Sequence, residues 1–130
     1  MTGRSCQRTV LVVEDDRDVR QAIAEVLSDC EYKALHASNG AEALERLRTA
    51  PVQPCVILLD IMMPTMDGWQ FRAAQRSDPS VKDIPVVILT AHADADTAAE
   101  QMDAAGFLMK PVALDLLLGI VERFCAVDQP

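Results

Sequence analysis

Short apolar runs alternate with longer amphipathic stretches five times along the chain. The runs at residues 10–13, 56–59 and 86–89 are continuously apolar. They predict strands buried on both faces, because half-buried strands alternate with polar residues. The stretches between the runs place apolar residues at helical spacing and predict amphipathic helices. Five strand–helix units predict an α/β fold in which a parallel sheet carries helices on both faces.

The ends of each apolar run and of each amphipathic stretch give the predicted boundaries of the strands and helices. Strands are predicted at residues 9–14, 33–37, 55–59, 84–90 and 107–109. The first helix is predicted to begin after Asp16 as its N-cap, and the others at residues 41–48, 69–76, 95–105 and 113–125. Gly106 is expected to end the fourth helix in a left-handed conformation. We expect one domain over residues 9–127 behind a short tail at residues 1–8, without an output domain.

Apolar stripes on four of the helices are expected to face the core. The predicted inward residues are Val19, Ala22, Ile23, Val26, Leu27 and Cys30 in the first helix, Ala43, Leu44 and Leu47 in the second, Ala98 and Met102 in the fourth, and Leu114, Leu117, Leu118, Val121 and Phe124 in the fifth. Cys30, Cys55 and Cys125 lie in apolar neighbourhoods and are expected to be buried thiols, while Cys6 belongs to the tail. No two cysteines have the spacing of a metal or redox motif, so the sequence predicts no disulfides.

Composition narrows the functional class. A 130-residue chain with 50% hydrophobic and 25% charged residues is typical of one globular domain. Its net charge of -8 argues against direct nucleic-acid binding and is compatible with a basic protein partner or a cation. No apolar run approaches the ~18 residues of a membrane span, and the start lacks the pattern of a signal peptide. We therefore expect a cytoplasmic protein without membrane insertion.

Polar side chains follow four of the predicted strands. Glu14 ends the first strand and Asp15 follows it. Asp60 follows the third strand and Lys110 the fifth, while Thr90 ends the fourth. The carboxyl ends of parallel strands share one edge of a sheet, and ligands bind there. Three neighbouring carboxylates repel each other without a counter-ion, and their oxygen atoms suit Mg²⁺ completed by water and phosphate. The sequence therefore predicts a magnesium site at this edge.

Asp60 has two interpretations. It can cap the turn that follows its strand, or it can attack a phosphoryl group and form an acyl phosphate. We favour the nucleophile, because Mg²⁺, Lys110 and Thr90 would neutralise or bind the phosphoryl oxygens. Taken singly, Thr90 is more often a strand-end hydroxyl and Lys110 a surface lysine. A cis bond before Pro111 would turn the lysine inward, and the sequence leaves the isomer open.

Four motifs resemble the receiver domain of two-component response regulators and together span most of the chain. They are VLVVEDD at 10–16, ILLDIMMPTMDG at 57–68, VVILTA at 86–91 and GFLMKP at 106–111. The resemblance implies a flavodoxin-like (βα)5 sandwich with strand order 2-1-3-4-5. It also implies that Asp60 accepts phosphate from a sensor histidine kinase or a histidine phosphotransfer protein. The chain would then be no enzyme, but a phosphoacceptor that assists its own phosphorylation and dephosphorylation.

The same resemblance implies roles for individual residues. Mg²⁺ would be held by Glu14 (through water), Asp15, Asp60 and the main-chain carbonyl of Met62. Lys110 would contact the phosphate, and Thr90 and Phe107 would form the switch pair. Phosphorylation would change the surface of the fourth helix, fifth strand and fifth helix for a downstream protein target or a homodimer.

Phe107 departs from the common receiver pattern, and two further positions are ones that tune phosphate lifetime in the family. Many receivers carry Tyr where this chain has Phe107, and we expect the Phe ring to turn inward before phosphorylation, because exposure forfeits ~1.5–3 kcal/mol of burial. Met62 and His92 hold positions that tune phosphate lifetime in the family. Met62 cannot align a water strongly, which predicts slow self-hydrolysis. His92 either orients water or faces solvent, and the sequence does not distinguish these.

Other functional classes have weaker support. An interaction module with this fold that never receives phosphate is one alternative. A small phosphohydrolase would need a second acid where Met62 stands, and a substrate cap. A dinucleotide-binding enzyme is disfavoured because the loop after the first strand is acidic and lacks glycine. The chain itself can be a single-domain regulator, a phosphorelay shuttle or a fragment of a larger regulator.

Overall fold

The computed structural model describes residues 8–63, 65–91 and 95–125. Its strands are Thr9–Val13 (β1), Lys33–Ala37 (β2), Val56–Asp60 (β3), Val86–Thr90 (β4) and Gly106–Met109 (β5). Its helices are Arg17–Asp29 (α1), Gly40–Thr49 (α2), Gly68–Arg76 (α3), Ala95–Gln101 (α4) and Leu114–Cys125 (α5). The strict alternation confirms the α/β class. Within these ranges, no helix has the length and apolar character needed to cross a membrane.

The five strands form one parallel sheet in the order β2-β1-β3-β4-β5, which confirms the predicted order. The three continuously apolar strands β1, β3 and β4 occupy the centre and are buried along their whole length. β2 and β5 form the edges of the sheet. Val13 lies beside Leu59, and Leu59 beside Ile88, so the carboxyl ends of the central strands meet at one place.

Two apolar cores cover the two faces of the sheet, because successive residues of a strand point to opposite sides. One core packs α1 and α5 on the sheet through residues such as Ile23 and Leu117. The other packs α2, α3 and α4 through residues such as Leu47, Phe71 and Ala98. Burying one such large side chain stabilises the fold by about 1.5–3 kcal/mol. Helices therefore lie on both faces, as predicted.

The predicted end of the fourth helix was wrong. α4 ends at Gln101, and the residue with the left-handed conformation is Asp103, whose φ is 54°. The amide of Ala104 bonds back to Ala99 O at 2.9 Å, which closes the helix end. The next amide, Ala105 N–H, already bonds to β4 at Val86 O, so the chain has left the helix before Gly106.

Three residues predicted to face the core are exposed instead: Ala22, Cys30 and Leu114. Leu114 is the first residue of α5, and Cys30 is the C-cap that follows α1, so both lie beyond the turns that cover the sheet. Ala22 lies beside the buried Ile23 but on the outer side of the stripe. The predicted apolar stripes of α1 and α5 therefore included residues at their margins that the fold leaves exposed.

A disulfide joins Cys55 to Cys125, contrary to the prediction of free buried thiols. The two Cα atoms are 5.5 Å apart, within the usual range for a disulfide. Cys55 directly precedes β3 and Cys125 ends α5, so the bond fixes the last turn of α5 at the amino edge of the sheet. No local pattern could indicate this pairing, because the two residues are separated by 70 positions. Cys6 lies outside the described residues.

Candidate functional site

Three carboxylates meet at the carboxyl edge of the sheet. Glu14 directly follows β1 and is 0% exposed, and Asp60 ends β3 and is 3% exposed. Asp15 lies beside them and faces solvent. One carboxylate oxygen from each of the three residues lies within 4.8 Å of the others. The predicted convergence of these acids is therefore present in the fold.

Lys110 reaches this cluster from the end of β5. Its Nζ atom lies 2.7 Å from Glu14 Oε1 and 3.4 Å from Asp60 Oδ2. The Lys110–Pro111 peptide bond is cis, which is the isomer that the sequence left open. The lysine side chain is 23% exposed and its partners are almost fully buried, so these ion pairs are largely shielded from water. Lys110 is thus part of the site and not a free surface lysine.

The loop after β3 holds the Asp60 carboxylate in place. Met62 N–H donates a hydrogen bond to Asp60 Oδ1 at 3.2 Å. At the start of α3, Gly68 N–H donates to Ile61 O at 2.9 Å. A Cβ on Gly68 would lie only 2.8 Å from Ile61 Cα and 2.9 Å from Asp60 O. Only glycine allows this close approach, so Gly68 supports the site as well as the turn.

Further hydrogen bonds fix Glu14 and the start of α1. Asp16 N–H donates to Glu14 Oε2 at 3.1 Å, and Arg20 Nη1 donates to Glu14 O at 2.8 Å. The Asp16 side chain accepts hydrogen bonds from the amides of Asp18 and Val19, which confirms its predicted role as the N-cap of α1. Arg20 was not predicted as a site residue, although its position one turn beyond the N-cap was an available signal.

Burial and charge strongly perturb the two groups at the centre. Burial, and next the negative charge of Glu14, raise the pKa of Asp60 to about 7, although Lys110 and the Met62 amide favour its charged form. Burial opposes the charge of Lys110, but hydrogen bonds and charge from Glu14 and Asp60 outweigh it and raise the pKa of Lys110. Lys110 therefore stays charged at neutral pH, whereas Asp60 is ionised only at a cost.

The donor set at this edge fits Mg²⁺. Glu14, Asp15 and Asp60 offer oxygen atoms, which are the ligands that hard divalent cations prefer. The three carboxylates outnumber the single ammonium of Lys110, so a cation bound among them would reduce their mutual repulsion. Asp15 is exposed, which leaves an open side for water and phosphate. These three residues are the ones that would hold the ion.

The remaining predicted residues lie around this edge with one difference. Thr90 ends β4 and is 1% exposed, and its carbonyl accepts a hydrogen bond from Lys110 N–H at 2.8 Å. Met62 is 61% exposed beside Asp60. Phe107 is 39% exposed, so the expectation of an inward ring was wrong. Phe107 lies on β5, which is an edge strand of the sheet. His92 lies outside the described residues.

Comparison with known proteins gives one consistent result. A family model described as "Response regulator receiver domain" matches residues 10–122. The chain is 38% identical over 117 residues to the DNA-binding transcriptional regulator NtrC of Escherichia coli K12, covering 88% of this chain and 24% of NtrC. It is 37% identical over 123 residues to the response regulator MprA of Mycobacterium avium, covering 93% of this chain and 52% of MprA. The chain thus spans about a quarter to a half of these curated relatives.

Solved structures agree with the sequence relatives. The chemotaxis protein CheY4 of Vibrio cholerae has a TM-score of 0.80 and 31% identity, covering 89% of this chain and 97% of that one. The signal receiver domain of a signal transduction histidine kinase from Syntrophus aciditrophicus has a TM-score of 0.81 and 27% identity, covering 93% and 92%. Both similarities extend over nearly the whole domain.

Proposed function

The chain belongs to the family of response regulator receiver domains, and from this membership we propose that it is a phosphorylation-dependent switch in two-component signalling. Its phosphoacceptor would be Asp60, and its donor a phosphohistidine of a sensor histidine kinase or of a histidine phosphotransfer protein. The observation that carries the proposal is a buried carboxylate paired with Lys110 beside two further carboxylates. The chain would act as a phosphoacceptor and not as an enzyme on a separate substrate.

The reaction follows from the positions of these side chains. An Asp60 carboxylate oxygen attacks the phosphorus, the bond between phosphorus and the donor imidazole breaks, and an acyl phosphate forms. Bound Mg²⁺ would supply positive charge to the Asp60 carboxylate and to the phosphoryl oxygens. Lys110 Nζ, 3.4 Å from Asp60 Oδ2, neutralises a phosphoryl oxygen. Thr90, buried at the same edge, donates its hydroxyl to another oxygen.

An apolar groove beside Lys110 fits the approach of a protein donor. Its volume is about 210 Å³, and it is lined by Val19, Ala22, Ile23, Lys110, Pro111, Val112 and Leu114. A protein that delivers phosphate to Asp60 covers the neighbouring surface, and an apolar ridge on its helix would fill this groove. We expect Ala22→Glu to slow phosphotransfer from a histidine kinase. It should leave phosphorylation by acetyl phosphate unchanged, because a small donor needs no groove.

The output follows from the added charge. A phosphoryl group brings close to two negative charges, and its contacts with Thr90 and Lys110 shift an existing equilibrium between two forms. Phe107, Met109 and Leu116 are exposed apolar residues on β5 and α5, and they offer a surface for a downstream protein or for a second copy of the chain. A cytoplasmic location stays a prediction.

Labelling with acetyl phosphate in the presence of Mg²⁺ tests the proposal. Intact mass should increase by one phosphoryl group in the unmodified chain and in the control Asp83→Ala, which removes an exposed aspartate. The increase should be absent in Asp60→Ala and without Mg²⁺. A chain that folds, binds Mg²⁺ and takes no phosphate would refute the proposal and favour the interaction module.

A further inference from the structure

Two buried polar side chains of α3 connect three separate parts of the fold. Arg72 is 8% exposed and Gln75 is 0% exposed, although both residue types normally face solvent. Arg72 Nη1 donates to Gln75 Oε1 at 2.7 Å. We call this pair, with its hydrogen bonds to the main chain, the α3–α4 latch. Its bonds do not involve the carboxylates and Lys110 of the phosphorylation site.

Arg72 binds the carboxyl end of α4. Its Nε donates to Met102 O at 2.9 Å, and its Nη2 donates to Asp103 O at 2.7 Å. Carbonyls at the end of a helix have no amide partners within the helix, so an outside donor is needed when they are buried. The chain turns left-handed at Asp103, which directs these two carbonyls toward α3. One guanidinium therefore satisfies the end of α4 from a different helix.

Gln75 extends the same network to the segment before β4. Its Nε2 donates to Val81 O at 2.9 Å and to Ile84 O at 3.0 Å, while its Oε1 accepts from Arg72. All of its hydrogen-bonding groups are used, and a fully satisfied buried network is rigid. The latch thus joins the carboxyl end of α4 to α3 and to the chain that enters β4.

The carboxyl end of α4 is held from outside the helix, because the latch binds it and Met102 is buried there in the core. The amino end of α4 comes after the connection from β4. That connection follows Thr90, which is the last residue of β4 and the residue proposed to bind phosphate. We propose that the latch makes the carboxyl end of α4 the fixed end of this helix during switching. Conformational change is then confined to its amino end and to β5. This inference rests on the proposed function.

Amide hydrogen exchange of the full chain, with and without Mg²⁺ and beryllofluoride, tests this inference. The diagnostic amides are those of Ala104 and Ala105, which bond to Ala99 O and Val86 O. In the unmodified chain their protection should not change on beryllofluoride binding, while exchange at the amino end of α4 does. Protection that changes equally at both ends would overturn the proposal.

Variants of two arginines on the same helix separate the latch from general stability. Arg72→Met should reduce the protection of Ala104 by at least about tenfold, because it removes the two charge-assisted hydrogen bonds to Met102 O and Asp103 O. It should also spread the beryllofluoride response to the carboxyl end of α4. Arg76→Met is the matched control, because Arg76 is exposed and its ion pair with Asp103, at 3.9 Å, is a weak surface contact, so its removal should leave the protection of Ala104 unchanged. Gln75→Leu gives a second test if Arg72→Met does not fold.

These measurements also separate the inference from the proposed function. Asp60→Asn should abolish the response to beryllofluoride everywhere, which reports on the phosphorylation site alone. If beryllofluoride fails to bind the unmodified chain, the proposed function fails, and the comparison of Arg72→Met with Arg76→Met still tests the latch. Equal protection of Ala104 in those two variants would overturn it.

Discussion

Replacing Asp60 with asparagine should stabilise the metal-free protein at alkaline pH. Asp60 is almost completely buried beside Glu14, and these two causes raise its pKa from 3.8 to about 7. Asparagine has the same shape, carries no charge and can still accept the hydrogen bond from Met62 N–H through its oxygen. The variant therefore removes the buried charge and keeps the rest of the site.

The pKa of Asp60 sets the size and direction of the effect. Because folding raises the pKa, the contribution of the protonated carboxyl to stability is fully present below the unfolded value of 3.8. It is lost progressively as pH rises to about 7. A difference of about 3 in pKa corresponds to about 4 kcal/mol. At pH 8 without Mg²⁺ we expect Asp60→Asn to raise the free energy of unfolding by about 2–4 kcal/mol, a large part of the ~5–15 kcal/mol of a typical domain.

Urea unfolding followed by circular dichroism measures this difference. In EDTA, the gain from Asp60→Asn should be largest near pH 8 and should decrease toward pH 5. Mg²⁺ should stabilise the unmodified chain by binding its folded form, so that the gap narrows. Asp83→Asn makes the same change in net charge at an exposed position and should have little effect. If both variants are equally stable at pH 8 in EDTA, the explanation of the raised pKa by burial is wrong.

Three further predictions concern other features. Met62→Asn should shorten the phosphate half-life about tenfold, because an amide beside Asp60 can orient a water that Met62 cannot; equal decay of the radiolabelled phosphoprotein would contradict this. Reduction of the Cys55–Cys125 disulfide should lower the free energy of unfolding by about 2–4 kcal/mol, whereas Cys30→Ser should not change it, since Cys30 is free and exposed. Urea unfolding with and without reductant tests this, and an unchanged midpoint would count against the cross-link. Gly68→Ala should destabilise the fold by about 1–3 kcal/mol because its Cβ would meet Ile61 Cα at 2.8 Å. Gly119→Ala, in the middle of α5, should stabilise it by about 0.5–1 kcal/mol, because the added Cβ would meet no side chain of the described residues within 4 Å. Thermal unfolding of both variants shows whether they shift in opposite directions.

The strands and the site were predictable because their signals are local. A continuous apolar run that ends in a carboxylate identifies both a buried strand and its functional end, as at Val56–Asp60. The same holds for Glu14 and Thr90, which follow or end the other central strands. Parallel pairing then brings these ends together without any further information. The resemblance to receivers supplied the strand order, which local patterns alone do not determine.

The features that escaped prediction depend on residues far apart in the chain. Cys125 meets Cys55 only because α5 returns to the start of β3. Arg72 and Gln75 are polar residues on a short helix, and their burial depends on carbonyls of the α4 end and of the segment before β4. Phe107 is exposed because its strand lies at the edge of the sheet. In each case the burial or bonding of the residue depends on a part of the fold that its neighbouring sequence does not contain.

The disulfide has a practical consequence for attaching reporters. β1 begins at Thr9, and Cys125 is bonded to the residue that precedes β3, so both positions lie at the amino edge of the sheet. Asp60 lies at the other edge, one strand length or roughly 16 Å away. A fluorescent protein or an affinity tag joined beside either of these two positions would be attached at the sheet edge opposite the acidic cluster. Surface immobilisation at these positions is therefore suitable for kinetic assays on this molecule.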